Sequence, residues 1–164
     1  MQTVELLRAR GLKISENALR LGLKNAFMPG RLEVVSQRPV IVLDVAHNEA
    51  SIHSTLQWLN ATYPSLPRRI VFAVSSDKAW KPMLNQLAER AERLYLTRYT
   101  TNPRALPVSE LATYAQAHAF PFTAGEDPVA LTRQALRETR DTGLLLAVGS
   151  FFLIGQLKTL FEPE

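Results

Sequence analysis

Apolar positions change their period near residue 29. Before it, TVELLRAR and SENALRLGLKNAF carry apolar residues three and four apart, the spacing of two short amphipathic helices. Gly11 suits the C-cap of the first and Ser15 the N-cap of the second. After MPGR the chain alternates between apolar, β-rich runs and helical periods. Strands are expected at 32–35, 40–43, 70–74, 94–97 and 144–148, with a weaker one at 121–123. Helical patterns lie between or after them at 50–61, 80–90, 108–119, 129–139 and 151–161. VIVL, IVFAV and LLLAV are apolar at every position, which a sheet covered on both faces demands. The repetition of strand and helix predicts an α/β fold: a doubly wound, mostly parallel, Rossmann-like sheet with a short N-terminal helical appendage. The boundary divides the chain into residues 1–28 and 29–164.

Composition narrows the classes. With 164 residues, 46% hydrophobic and 21% charged, the chain has enough apolar material for one buried core. It has no cysteine, so disulfides, thiolate metal sites and a cysteine nucleophile are excluded. MQTVELLRARGLK has scattered charges and no apolar leader core, and no run approaches the roughly 20 residues of a membrane span. A cytoplasmic protein without a membrane partner is expected. The net charge of +4 is spread among acidic residues, so no nucleic-acid footprint is read from it.

In a sheet of this kind ligands bind beyond the carboxyl ends of the strands. The polar stretches there are Asp44 to Asn48, Ser75 to Lys78, Arg98 to Arg104, and Gly149 with Ser150. A carboxylate such as Asp44 can accept from vicinal hydroxyls, and His47 can donate to a ligand or stack on it. On local pattern alone, Asn48 reads as a helix cap and Asp44 as a strand end. Ser150 at a helix start suits an anion or a plain N-cap. Lys78 is a phosphate candidate, and Arg31 in PGR could reach phosphate from the joint before the first strand or simply be solvated. Phe72, Trp58 and Phe151 read as core. Asp44 and His47 lack a third metal ligand, since His53 and His118 sit in helical patterns, so no metal site is expected. Neither G-x-x-x-x-G-K-[ST] nor G-x-G-x-x-G occurs, so this chain does not cradle a nucleotide by itself.

Taken in order, MPGRLEVV, LDVAHNEAS, SSDKAW, TTNPRALPVSEL and VGSFFLIGQLK resemble the C-terminal portion of folylpolyglutamate synthase and bifunctional dihydrofolate synthase, in the Mur ligase superfamily. The resemblance implies an ATP-dependent ligase that joins L-glutamate to dihydropteroate or a folate through an acyl phosphate. It implies that ATP and magnesium are held mainly by an N-terminal P-loop domain, of which residues 1–28 are the helical end plus linker. It further implies that Arg31 meets ATP phosphates and Asp44 the ribose; Lys78, from its place after a strand, is expected to join them as a cofactor contact. His47, Asn48 and Ser150 are implied to bind glutamate. No residue of this chain is expected to act as a nucleophile, and the chain alone, a monomer, is expected to be catalytically incomplete. Two departures stand out. Val45 and Glu49 occupy positions where the family reads glycine and proline in D-G-A-H-N-P. A stand-alone module that kept the fold without the chemistry, and a cell-wall Mur ligase domain, are the alternatives.

Overall fold

The computed structural model describes residues 2–161. Two helices, α1 (Gln2–Ala9) and α2 (Glu16–Asn25), come first. Ser15 caps α2 by accepting from the Ala18 N–H, and Gly11, at φ +91°, closes the turn after α1 as its position suggested. Neither helix contains a buried residue.

The body contains six strands: β1 (Glu33–Gln37), β2 (Val40–Asp44), β3 (Arg68–Phe72), β4 (Arg93–Leu96), β5 (Phe122–Ala124) and β6 (Leu144–Val148). They form one sheet in the order β1-β2-β6-β3-β4-β5. Only β1 runs antiparallel to its neighbour; every other pairing is parallel. The helices are α3 (Glu49–Thr62), α4 (Trp80–Ala88), α5 (Val108–Ala117), α6 (Pro128–Thr139) and α7 (Phe151–Lys158).

Alternate residues of each central strand feed opposite cores, because successive side chains of a strand point to opposite faces. Val42, Ile70, Phe72, Leu94 and Leu146 join Ile52 and Leu59 of α3, Leu84 of α4 and Leu111 of α5. Leu43, Val71, Tyr95 and Leu145 join Leu131 of α6 and Leu153 and Leu157 of α7. The sheet is therefore doubly wound, and β2 and β6 are buried at every position.

Several boundaries differ from expectation by a few residues. The third strand is Arg68–Phe72, not 70–74, because Val74 to Ser76 instead meet the returning segment before α5. Leu106 N–H donates to the Val74 carbonyl and Ser76 N–H to that of Arg104. The weak strand is real and forms the far edge of the sheet.

Candidate functional site

β6 enters the sheet between β2 and β3, although it comes last in sequence. The segments leaving the carboxyl ends of these three strands therefore converge: Val45–Asn48 after β2, Ala73–Lys78 after β3, and Gly149–Ser150 after β6. Two depressions open there. One, of about 170 Å³, is lined by His47, Ser75, Lys78, Arg104, Gly149, Ser150, Phe151 and Phe152. The other, of about 250 Å³, is lined by Arg31, Leu32, Asp44, Ala46, Ser51, Ser54 and Thr55.

Asp44 is 6% exposed at the end of β2. One carboxylate oxygen accepts from the Ala46 N–H at 2.7 Å, and the other from the Leu32 N–H at 3.2 Å and the Thr55 hydroxyl at 3.3 Å. Burial pushes its pKa up from the ordinary 3.8, and those hydrogen bonds and the Arg31 charge pull against the rise. Leu32, at φ +46°, sits in the left-handed region that costs a residue with a Cβ, and its bond to Asp44 holds it there. The preceding turn is tied down by Glu33, which accepts from the Gly30 N–H and pairs with Lys158 at 3.3 Å. Arg31 is thus presented at the mouth of this depression, its guanidinium 5.5 Å from the centre of the Phe151 ring.

His47 belongs to the other depression. Its Nδ1 lies 2.9 Å from the Val45 carbonyl, which can only accept, so Nδ1 carries the proton and Nε2 is left for a ligand. Its backbone N–H donates to the Ser51 hydroxyl. Asn48 caps α3 through a capping box with Ser51, as its local pattern suggested, and lines neither depression. Ser150 caps α7 by accepting from the Phe152 N–H, which keeps its own hydroxyl proton available. Gly149, at φ +119°, is needed for the turn: a Cβ would run into the Ala73 carbonyl and the Phe72 ring. Lys78 pairs with Asp77 at 3.4 Å and lies with His47 and Ser150, not with Arg31 and Asp44.

Three residues gain a place that the sequence assigned to none of them, although Ser75 and Arg104 lie in polar stretches at strand ends and Phe151 was expected in the core. Arg104 reaches the smaller depression because an antiparallel bridge between Ser75 and Ala105 folds its loop back over β3. Nothing near it in sequence separates it from Arg98, which pairs with Glu126 instead. Ser75 forms part of the floor. Phe151, expected in the core, is 53% exposed, since the first turn of α7 projects past the sheet. It stands beside both Arg31 and His47, whose ring centroid is 5.9 Å from its own.

The two departures prove local. Val45 does not adopt a positive φ, so its β-branch is tolerated, and it is 2% exposed in the second core. It packs where Gly30 has no side chain; a Cβ on Gly30 would come 2.9 Å from Val45. Glu49 is exposed in the first turn of α3, where negative charge is favourable, and it lines neither depression. Among the described residues no three His, Asp or Glu side chains cluster to hold a metal.

Residues 30–151 match the family described as Mur ligase, glutamate ligase domain. The dihydrofolate synthase/folylpolyglutamate synthase of Bacillus subtilis is 28% identical over 145 residues, which is 88% of this chain and 33% of that protein. A Yersinia pestis bifunctional folylpolyglutamate synthase/dihydrofolate synthase, solved with AMPPNP and Mn ion, superposes with a TM-score of 0.82. It is 28% identical and covers 96% of this chain and 37% of that one. A structure of such an enzyme with Mn, AMPPNP and L-glutamate bound gives a TM-score of 0.81 at 28% identity, over 96% and 37% of the two chains. The chain thus spans about a third of the length of these relatives. With the family model covering most of the chain, including both depressions' main segments, the chain belongs to the Mur ligase family, in its glutamate ligase domain.

Proposed function

We propose that this chain is the glutamate- and ATP-contacting C-terminal portion of a ligase that adds L-glutamate to dihydropteroate or to a folate. The observation that carries this reading is the smaller depression, where the ends of β2, β3 and β6 and the loop after β4 bring His47, Lys78, Ser150 and Arg104 around about 170 Å³. Two cations and a donor hydroxyl suit the carboxylates of an acidic amino acid, and the His47 Nε2 suits its amino group. Asn48 contributes by holding His47: the serine of its capping box accepts the His47 N–H. The larger depression takes the nucleotide, with Asp44 accepting from ribose hydroxyls and Arg31 turned toward phosphate.

ATP phosphorylates the acceptor carboxylate, and the glutamate amine then attacks the acyl phosphate, losing a proton as phosphate leaves. This chain's residues supply placement and charge, with no nucleophile among them. Phosphate-loop and metal contacts belong to the P-loop portion, of which residues 1–28 are the helical end and linker. Leu6, Leu21, Leu23, Phe27 and Met28, all at least 60% exposed, are the surface that this portion covers. The cell-wall alternative is weaker, because the relatives described above are folate-linked ligases. Val45 and Glu49 no longer favour a module without chemistry, since neither touches a depression.

Titration of L-glutamate into the wild type, His47→Ala and Ser150→Ala tests the assignment. Affinity falls in both variants; equal affinity in all three refutes it.

A further inference from the structure

We infer that Tyr99 is a positioning residue that makes Ser75 a dedicated hydrogen-bond donor to a carboxylate of the bound amino acid. The inference rests on the reading of the smaller depression as an acidic amino-acid site. Tyr99 lies three residues beyond β4 and is 1% exposed, so its hydroxyl is shut off from water. Its ring sits in the second core against Phe152, with ring centroids 5.2 Å apart. Among the described residues the hydroxyl reaches one partner, the Ser75 Oγ, at 2.6 Å.

Which atom donates follows from what else each hydroxyl can reach. If Ser75 gave its proton to Tyr99, the phenol proton would be buried with no acceptor among the described residues, which is costly. Tyr99 therefore donates to Ser75. The Ser75 Oγ then accepts one bond, and its own proton is left for the depression that Ser75 lines. A donating phenol polarises the serine hydroxyl and strengthens the bond it makes in turn. The order Tyr99 to Ser75 to ligand fits an acceptor-only group, a carboxylate. A carboxamide at the same place offers one acceptor oxygen in place of two and sets its NH₂ against Lys78 and Arg104, the other donors of the depression.

This gives Tyr99 a role in selecting acid over amide without touching the ligand. Its hydroxyl can be removed with little disturbance, since phenylalanine fills the same space. The test measures dissociation constants of L-glutamate, L-glutamine and L-isoglutamine for the wild type, Tyr99→Phe and Ser75→Ala. The wild type prefers glutamate to both amides. In Tyr99→Phe the preference over one of the two amides falls about 3- to 10-fold, the size of one hydrogen bond, while the other preference holds. Ser75→Ala relaxes the preference over the same amide. A purely structural role for Tyr99 weakens all three ligands alike and leaves both ratios unchanged, and that result overturns the inference. If the wild type binds no glutamate, or if His47→Ala and Ser150→Ala bind it as the wild type does, the amino-acid site itself falls. Glutamate binding with unaltered ratios in Tyr99→Phe removes only the role of Tyr99.

Discussion

Val45 shows how a residue's meaning is decided by one neighbour. It replaces the family's glycine, yet its side chain occupies space that Gly30 leaves open. Val45→Gly therefore lowers the unfolding free energy by about 2 kcal/mol in urea titration, from lost burial and a looser backbone. Glutamate affinity falls less than in Asn48→Ala, because the Val45 carbonyl that holds His47 belongs to the backbone and remains. Asp44 makes the opposite point, a buried polar group held by hydrogen bonds at the depression proposed for the nucleotide. Its pKa is higher folded than unfolded, so the folded state takes up a proton between 3.8 and the raised value. Its contribution to stability is complete below 3.8 and is lost as the pH rises through the folded pKa. Asp44→Asn removes this dependence, so wild-type stability falls relative to the variant as the pH is raised through that interval. Unfolding midpoints of the two proteins at several pH values measure it. The nucleotide binding proposed for Asp44 moves the other way, since the ionised carboxylate is the stronger acceptor for ribose hydroxyls; it weakens as the pH falls through the same interval.

At the scale of elements, the site consists of strand ends and helix starts. The turn from β6 into α7 needs φ +119° at Gly149 and has no room for a Cβ. Gly149→Ala forces the backbone away from the Ala73 carbonyl and costs about 2 kcal/mol or more. Because Ser150 moves with it, glutamate affinity falls in the same variant. The cap of α3 separates structure from binding in another way. Asn48→Ala loses the bond to the Ser51 N–H and about 1 kcal/mol of stability, and glutamate affinity falls as His47 loosens. Asn48→Asp keeps both, since an aspartate oxygen caps as well. If Asn48→Asp binds as weakly as the alanine variant, the Asn48 amide contacts the ligand directly.

For the whole molecule, what matters is the division of labour between this chain and the rest of the enzyme proposed for it. The chain covers 37% of the solved relatives' length and lacks a phosphate-binding loop. Its purified form accordingly shows no ATP turnover above background, and a P-loop portion added in trans restores some; robust ATPase activity from the chain alone refutes this division. Leu6, Leu21 and Leu23 are exposed and contribute no buried residue to either helix that carries them. Replacing them with serine changes the urea midpoint of the sheet body by no more than about 0.5 kcal/mol, but abolishes that restoration.

Most of the architecture was legible in the chain, because its signals are local. The apolar runs of β2 and β6 could only be buried on both faces, and Ser15, Asn48 and Ser150 cap the helices whose starts they mark. Motif order pointed to the family, which the family model bears out, and through the resemblance to His47, Asp44 and Ser150 as proposed contacts. What no local pattern contained was the place of β6 between β2 and β3, set by how apolar surfaces from distant segments pack. That placement divides the polar residues into two depressions and puts Lys78 with His47. The return of the 97–106 loop over β3 delivers Arg104 while Arg98 turns to Glu126. It also takes the tertiary structure to bury the Tyr99 hydroxyl against Ser75. Sequence determined the elements and their kinship, since periodicity and caps act over a few residues; only packing decided which side chains share a site.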